Sequence, residues 1–168
     1  MTVINYNTFR AAVFGWASNH YGRFQHFYPL DGGWEYWVQA EVAAHIFTLN
    51  NTYELLRERN IYQNTQKADW LLNSLTGGNA RIAVELKCQR GADLSGSGFA
   101  RGIAADIRKL EAGNLPRGVT RVVVGIYYSQ GPHNWVRNNF VCNRHNRQTY
   151  GNNYGVFVFT RQNDGRYG

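Results

Sequence analysis

Residues 81–88 read Arg81-Ile82-Ala83-Val84-Glu85-Leu86-Lys87-Cys88. Side chains alternate along a strand, so Ile82, Val84 and Leu86 share one face while Ala83, Glu85 and Lys87 share the other. An acid and a base therefore stand between apolar residues in a segment that reads as a central strand. Two such groups on an exposed strand would be a surface ion pair of little worth. In a buried strand they are costly unless they are paired or bind something.

Upstream of this strand, the turn Thr76-Gly77-Gly78-Asn79 follows a second strand over Ala68–Ser74, and YELLRERNIYQ (53–63) reads as a third. Together they form a three-stranded meander. Antiparallel pairing across the turn brings Asp69 to the same end of the sheet as Glu85. Two carboxylates and one ammonium then converge. Magnesium takes hard oxygen ligands, usually one or two carboxylates with waters and phosphate oxygens, and two adjacent strands can supply them. A lysine beside the metal can orient or deprotonate the attacking water.

The flanking segments have helical period. Phe9, Ala12, Val13 and Trp16 mark a helix over 8–18 behind the cap candidates Asn7 and Thr8. A break at Pro29, Asp31, Gly32 and Gly33 leads into a helix over Trp34–Leu49, whose stripe of Trp34, Trp37, Val38, Val42, His45, Ile46 and Leu49 has Glu41 inside it. Glu35 falls at the stripe's edge, one turn from Gln39, where it favours the helix amino end. After a Gly- and Ser-rich connection (90–98), Phe99–Ala112 is helical again and is stopped by Gly113 and Pro116. RVVVGIYY (121–128) reads as a strand buried on both faces, and GVFVFT (155–160) as one more. The order is α, α, β, β, β, α, β, β, an α/β (α+β) domain over residues 1–168 with a mixed β-sheet flanked by helices.

The chain carries 18 Lys+Arg against 11 Asp+Glu, a net charge of +7 that favours a polyanionic partner such as nucleic acid. Fifteen of these cations are arginines, whose guanidinium groups suit bidentate phosphate contacts. No apolar window approaches a membrane span, and the amino end lacks the features of a signal peptide. Two cysteines are too few for a disulfide scaffold, and 15% aromatic residues argue against disorder. The expectation is a cytoplasmic, membrane-free protein, with export by a specialised secretion system left open.

Asp69, fifteen residues, then Glu85-Leu86-Lys87, with an upstream helix acid and a downstream Asp106-x-x-Lys109-Leu110 helix, resembles the PD-(D/E)XK nuclease superfamily over about Trp34 to Tyr128. Ala68 stands where the family's proline would be. The resemblance implies a restriction-endonuclease-like core of αβββαβ order, here with an extra N-terminal helix and C-terminal strand. It implies that Asp69 and Glu85 bind Mg²⁺ or Mn²⁺, that Lys87 assists the nucleophilic water, and that Glu41 completes the catalytic and metal-binding set, with Glu35 its competitor for the helix role. It further implies phosphodiester hydrolysis, with DNA preferred to RNA. A chain this small has no separate sequence-reading domain, so weak specificity, direction by a partner chain or a homodimer, and use as a toxin domain in bacterial competition all fit by analogy. A nucleic-acid-binding module of the same fold without catalysis is the alternative.

Other segments bear on the partner. Residues 133–155 hold no acid, three arginines (Arg137, Arg144, Arg147) and seven asparagines. Their aromatics Trp135, Phe140, Tyr150 and Tyr154 either stack on bases or complete the core. Arg101, Arg108 and Lys109 form a second phosphate-facing set or a solvated helix face. Gln89 either orients water or ties down a strand end. Cys142-Asn-Arg-His145 lacks the matching pair a zinc site needs.

Overall fold

Strand alternation at 82–88 divides the molecule into two apolar layers. A computed structural model of the chain describes residues 2–30, 34–62, 66–76, 78–112, 115–151, 154–162 and 165–168. Its elements are α1 (Tyr6–Phe27), α2 (Trp34–Leu49), β1 (Leu55–Asn60), β2 (Lys67–Leu72), β3 (Ile82–Cys88), α3 (Ser97–Ala112), β4 (Thr120–Tyr127), α4 (Gln130–Asn139), β5 (Arg147–Tyr150) and β6 (Tyr154–Thr160). The expected break residues Asp31 to Gly33, the turn glycine Gly77 and the helix stop Gly113 lie outside the described residues.

The six strands form one sheet in the order β1-β2-β3-β4-β6-β5. All neighbours are antiparallel except β3 and β4, which are parallel and joined through α3. Ile82, Val84, Leu86, Val122, Val124, Val156 and Val158 pack beneath α1 and α2. Ala83, Val123, Phe157 and Phe159 pack beneath α3 and α4. β4 is thus covered on both faces, as its unbroken apolar run requires. Gly125 pairs with Phe157, whose ring would lie 2.2 Å from any Cβ there.

Three segments differ from the sequence expectation. α1 is longer than 8–18: Asn5 caps it, accepting from Thr8 N–H at 3.0 Å. It runs through Gly22 because the apolar period continues from Trp16 to Phe24, whose rings lie 5.4 Å apart. The 90–98 connection is a run of hydrogen-bonded turns, Asp93 N–H to Arg90 O and Gly96 N–H to Asp93 O, both at 3.0 Å. The arginine- and asparagine-rich tail holds α4 and β5, which the sequence hid behind Pro132 and polar residues. Trp135 and Phe140 pack against the α3 side of the sheet, and Tyr150 and Tyr154 against the α1 side, so these aromatics complete the core.

Asn73 fastens the amino-terminal segment to the β2–β3 connection. It is 1% exposed, accepts from Ile4 N–H at 3.1 Å, and donates to Ile4 O at 2.8 Å and Ala80 O at 2.7 Å. Its φ of 58° lies in the left-handed region, which asparagine tolerates better than most residues. Asn73→Ala should cost roughly 3 kcal/mol in urea unfolding, from orphaned backbone groups plus left-handed strain. Asn73→Gly, which takes that φ freely, should recover the strain share of the loss.

Candidate active site

On the α3-facing side of β3, Glu85 is 1% exposed. Its Oε1 accepts from the Tyr62 hydroxyl at 2.5 Å, and its Oε2 from Lys109 Nζ at 2.7 Å. Lys109 also donates to the Lys67 carbonyl and lies over the Tyr62 ring, 5.3 Å from its centroid. Two residues on, Lys87 Nζ reaches both carboxylate oxygens of Glu35, at 3.0 and 3.1 Å. Glu35 stands in the first turn of α2 and also accepts from Cys88 N–H at 3.0 Å. The Lys87 stem passes Gly102 of α3, where an added Cβ would come within 2.9 Å of its Cδ.

Asp69 enters where the ladder breaks. The β2–β3 pairing ends at Trp70 with Val84, and two residues further along β3 the Leu86 N–H goes to Asp69 Oδ2 at 2.7 Å. On the other side the β1–β2 register passes from Arg57–Trp70 to Arg59–Ala68, leaving Glu58 and Asp69 unpaired between them, and Glu58 has a φ of 51°. Left-handed backbone at a non-glycine residue is a strained conformation of the kind found at functional sites. Asp69 Oδ1 accepts from Gln39 Nε2 at 3.0 Å, and Gln39 Oε1 accepts from Arg57 at 2.9 Å. A cleft of about 310 Å³ opens here, lined by Glu35, Gln39, Glu58, Asp69 and Arg90 among others. A larger cleft of about 480 Å³ lies by Tyr6, Arg10 and Gln162, and none of the clustered acids lines it.

Burial sets the electrostatics. It pushes Glu85 up to about 7, helped by the charge of Asp69 and opposed by the bonds from Lys109 and Tyr62. Burial likewise raises Asp69, against the pull of the Leu86 N–H. Asp106 of α3 is raised to about 7 by burial, with Lys87 opposing and Asp69 and Glu35 adding to it; its Oδ2 is buried without a hydrogen-bond partner among the described residues. Burial would lower Lys87, but the charges of Glu35 and Asp106 outweigh it and the ammonium is stabilised. The Tyr62 phenol is raised, first by burial and then by Glu85.

Four carboxylates, Glu35, Asp69, Glu85 and Asp106, thus face two ammonium groups, Lys87 and Lys109. When all are ionised the excess is two negative charges, the complement of one divalent cation. No three His, Cys, Asp or Glu side chains form a ready cage among the described residues. Magnesium needs none, since one or two carboxylates and waters suffice. What the cluster offers a cation is hard oxygens in excess charge, of which Asp106 Oδ2 is without a hydrogen-bond partner among the described residues, while those of Asp69, Glu85 and Glu35 accept bonds within the protein.

The structure brings together Asp69, Glu85 and Lys87. It does not bring Glu41 to them: Glu41 Oε2 lies 3.9 Å from Arg23 of α1, and Glu35 occupies the helix position instead. The sequence placed Trp37, His45 and Leu49 on the buried stripe, whereas the residues that are buried are Trp34, Val38, Gln39, Val42, Ala43 and Ile46, which turns Glu41 toward α1. Lys109, expected to face phosphate, is tied to Glu85, and Arg108 folds back onto Ala104 O of its own helix. Arg101, Arg137 and Arg144 are exposed, while Arg147 is half-buried. Gln89 is a structural amide: it donates to Asp93 O and Ser129 Oγ and accepts from Tyr128 and Ser129 N–H. Gln39 and Tyr62 were given no part in the site by the sequence, and Asp106 entered only through the Asp106-x-x-Lys109 spacing on α3, with no role assigned to it.

Comparison with known protein families, curated proteins and solved structures finds no match to this chain.

Folded Glu85 and Asp106 keep their protons to about pH 7, while their ordinary values are 4.5 and 3.8. The folded state therefore binds more protons than the unfolded one across that window, and stability falls as pH rises through it. Asp106→Asn should flatten this fall, its advantage over wild type growing by about 2 kcal/mol between about pH 5 and about pH 8 in urea unfolding. An unchanged pH profile would contradict the assignment.

Proposed function

We propose that this chain is a metal-dependent nuclease of the PD-(D/E)XK kind, hydrolysing phosphodiester bonds of nucleic acid, with DNA favoured by the resemblance. The observation that carries it is the convergence of Asp69 and Lys87 from adjacent strands with Glu35 from α2 at an acid-lined cleft, with the buried Glu85 near enough to feel the charge of Asp69. The succession α2, β1, β2, β3, α3, β4 supports it, being the αβββαβ order that the resemblance implies. So does the net charge of +7, which suits a polyanionic substrate.

Asp69 and Glu85, with Glu35 as third acid, would hold Mg²⁺ or Mn²⁺, which when bound neutralises the phosphate and lowers the pKa of a coordinated water. Lys87 is kept protonated by Glu35 and Asp106, so its part is to orient the attacking water and meet the charge that grows on the phosphate, rather than to accept a proton. Gln39 and the Leu86 N–H fix the Asp69 carboxylate from two sides. Gly102 leaves room for the Lys87 stem to lie along α3. The second reading, a binding module without catalysis, is favoured by one feature: both oxygens of each proposed metal-holding acid, Asp69, Glu85 and Glu35, already accept bonds within the protein.

Cleavage of supercoiled plasmid, linear duplex, single-stranded DNA and RNA with Mg²⁺, Mn²⁺ or EDTA separates the two. Metal-dependent cutting is expected, reduced by about 100-fold or more in Asp69→Asn, Glu85→Gln and Lys87→Met. Glu35→Gln should be impaired and Glu41→Gln should cut like wild type. Salt-dependent binding with no cutting would leave the binding module standing.

A further inference from the structure

Beside the acidic cleft lies another of about 300 Å³ with the opposite sign. Lys87, Arg90 and Arg101 line it, and it shares Arg90 and Cys88 with the acidic cleft. Arg90 and Arg101 are exposed, and neither has an acidic partner within ion-pair distance among the described residues; Arg23 and Arg161, by contrast, are paired with Glu41 and Glu111. The acid on this wall, Asp93, is engaged in its own turn, where Oδ2 accepts from Phe99 N–H at 2.7 Å and Oδ1 from Ser95 Oγ at 3.4 Å. Gly98 and Gly102 add no side chains to the α3 wall. The Lys87 ammonium, held by Glu35, stands at the border between the two clefts.

Two guanidinium groups without acidic partners, converging on a small cleft, are suited to a phosphate with its several acceptor oxygens. Continuity with the carboxylates indicates which phosphate. We infer that the Arg90–Arg101 cleft binds the phosphate adjoining the scissile one, so that the substrate is a polynucleotide strand crossing the carboxyl end of β3 and continuing past the cut, rather than a mononucleotide or a terminal phosphate ester. This rests on the nuclease reading and deepens it. Contacts of this kind fix register on the strand and carry no base information, in keeping with weak sequence preference.

The test separates binding from cutting. Fluorescence anisotropy in EDTA with a short labelled single strand compares the wild-type chain with Arg90→Gln, Arg101→Gln, the double variant and Arg117→Gln, an exposed control in the turn before β4. Thermal unfolding verifies that each is folded. The double variant should lose about tenfold or more in affinity, and its slope of log K against log salt should fall by about 0.7, the share of the one single-strand phosphate no longer neutralised. Arg117→Gln should lose much less.

With Mg²⁺, a neutral methylphosphonate next to the mapped cut should raise KM about tenfold in wild type with little change in kcat, and should add nothing in the double variant. A double variant that binds with wild-type affinity and slope overturns the inference while leaving metal-dependent cleavage intact. A wild-type chain that binds no nucleic acid overturns both. Arginine-dependent binding without cleavage upholds the phosphate site and removes the nuclease reading.

Discussion

A carboxylate that is 1% exposed in the middle of a sheet has to be met by other groups, and the arrangement of one half of this molecule follows from that need. Glu85 projects from the strand that both sequence and structure put at the centre of the fold. The α3 helix answers with Lys109, and the segment after β1 answers with Tyr62. These bonds do not remove the cost of burial, because Glu85 is still pushed up to about 7. The remaining imbalance is shared with Asp69 and Asp106, which are raised for the same first reason. A cluster with more carboxylates than ammonium groups in partly buried surroundings is poised to take up positive charge.

Backbone geometry and chemistry coincide at Asp69. The hydrogen-bond ladder stops there on the β3 side, and on the β1 side the left-handed Glu58 interrupts it. A carboxylate oxygen takes the place of a carbonyl in accepting the Leu86 N–H, so the bond that anchors the acid also closes the gap in the sheet. Gln39 and Arg57 extend the anchoring to α2 and β1. The acid is thereby held by three different elements, which is how a rigid scaffold positions a reactive group. On the far side of Lys87 the charge reverses at Arg90 and Arg101, giving this end of the sheet two neighbouring clefts of opposite sign.

Much of the fold was legible because period and turn chemistry agreed. The bounds of α2 were read to the residue, and β2, β3, β4 and β6 to within two residues at each end, since apolar repeats of 3.6 and 2 residues or unbroken β-branched runs mark them. α4 and β5 were not legible: a ten-residue helix with two buried residues and a four-residue strand bury too little to leave a pattern. The sequence favoured Glu41 as the helix acid, whereas the structure puts Glu35 beside Lys87 and Glu41 beside Arg23, for a related reason. α2 is apolar nearly all round, so its sequence did not show which flank turns toward β3 and which toward α1.

By itself the sequence determined that an acid and a base share a face of a central strand, that an aspartate from the neighbouring strand lies at the same end, and that helices cover the sheet. These are consequences of local period, which the chain carries with it wherever it folds. Only the tertiary structure decided that Lys109 neutralises Glu85, that Asp106 joins the acids, that Glu35 holds Lys87, and that Arg90 and Arg101 share a cleft. Each depends on how far a helix is rotated and how closely it lies on the sheet. That is set by packing among residues distant in the chain, on which local spacing is silent.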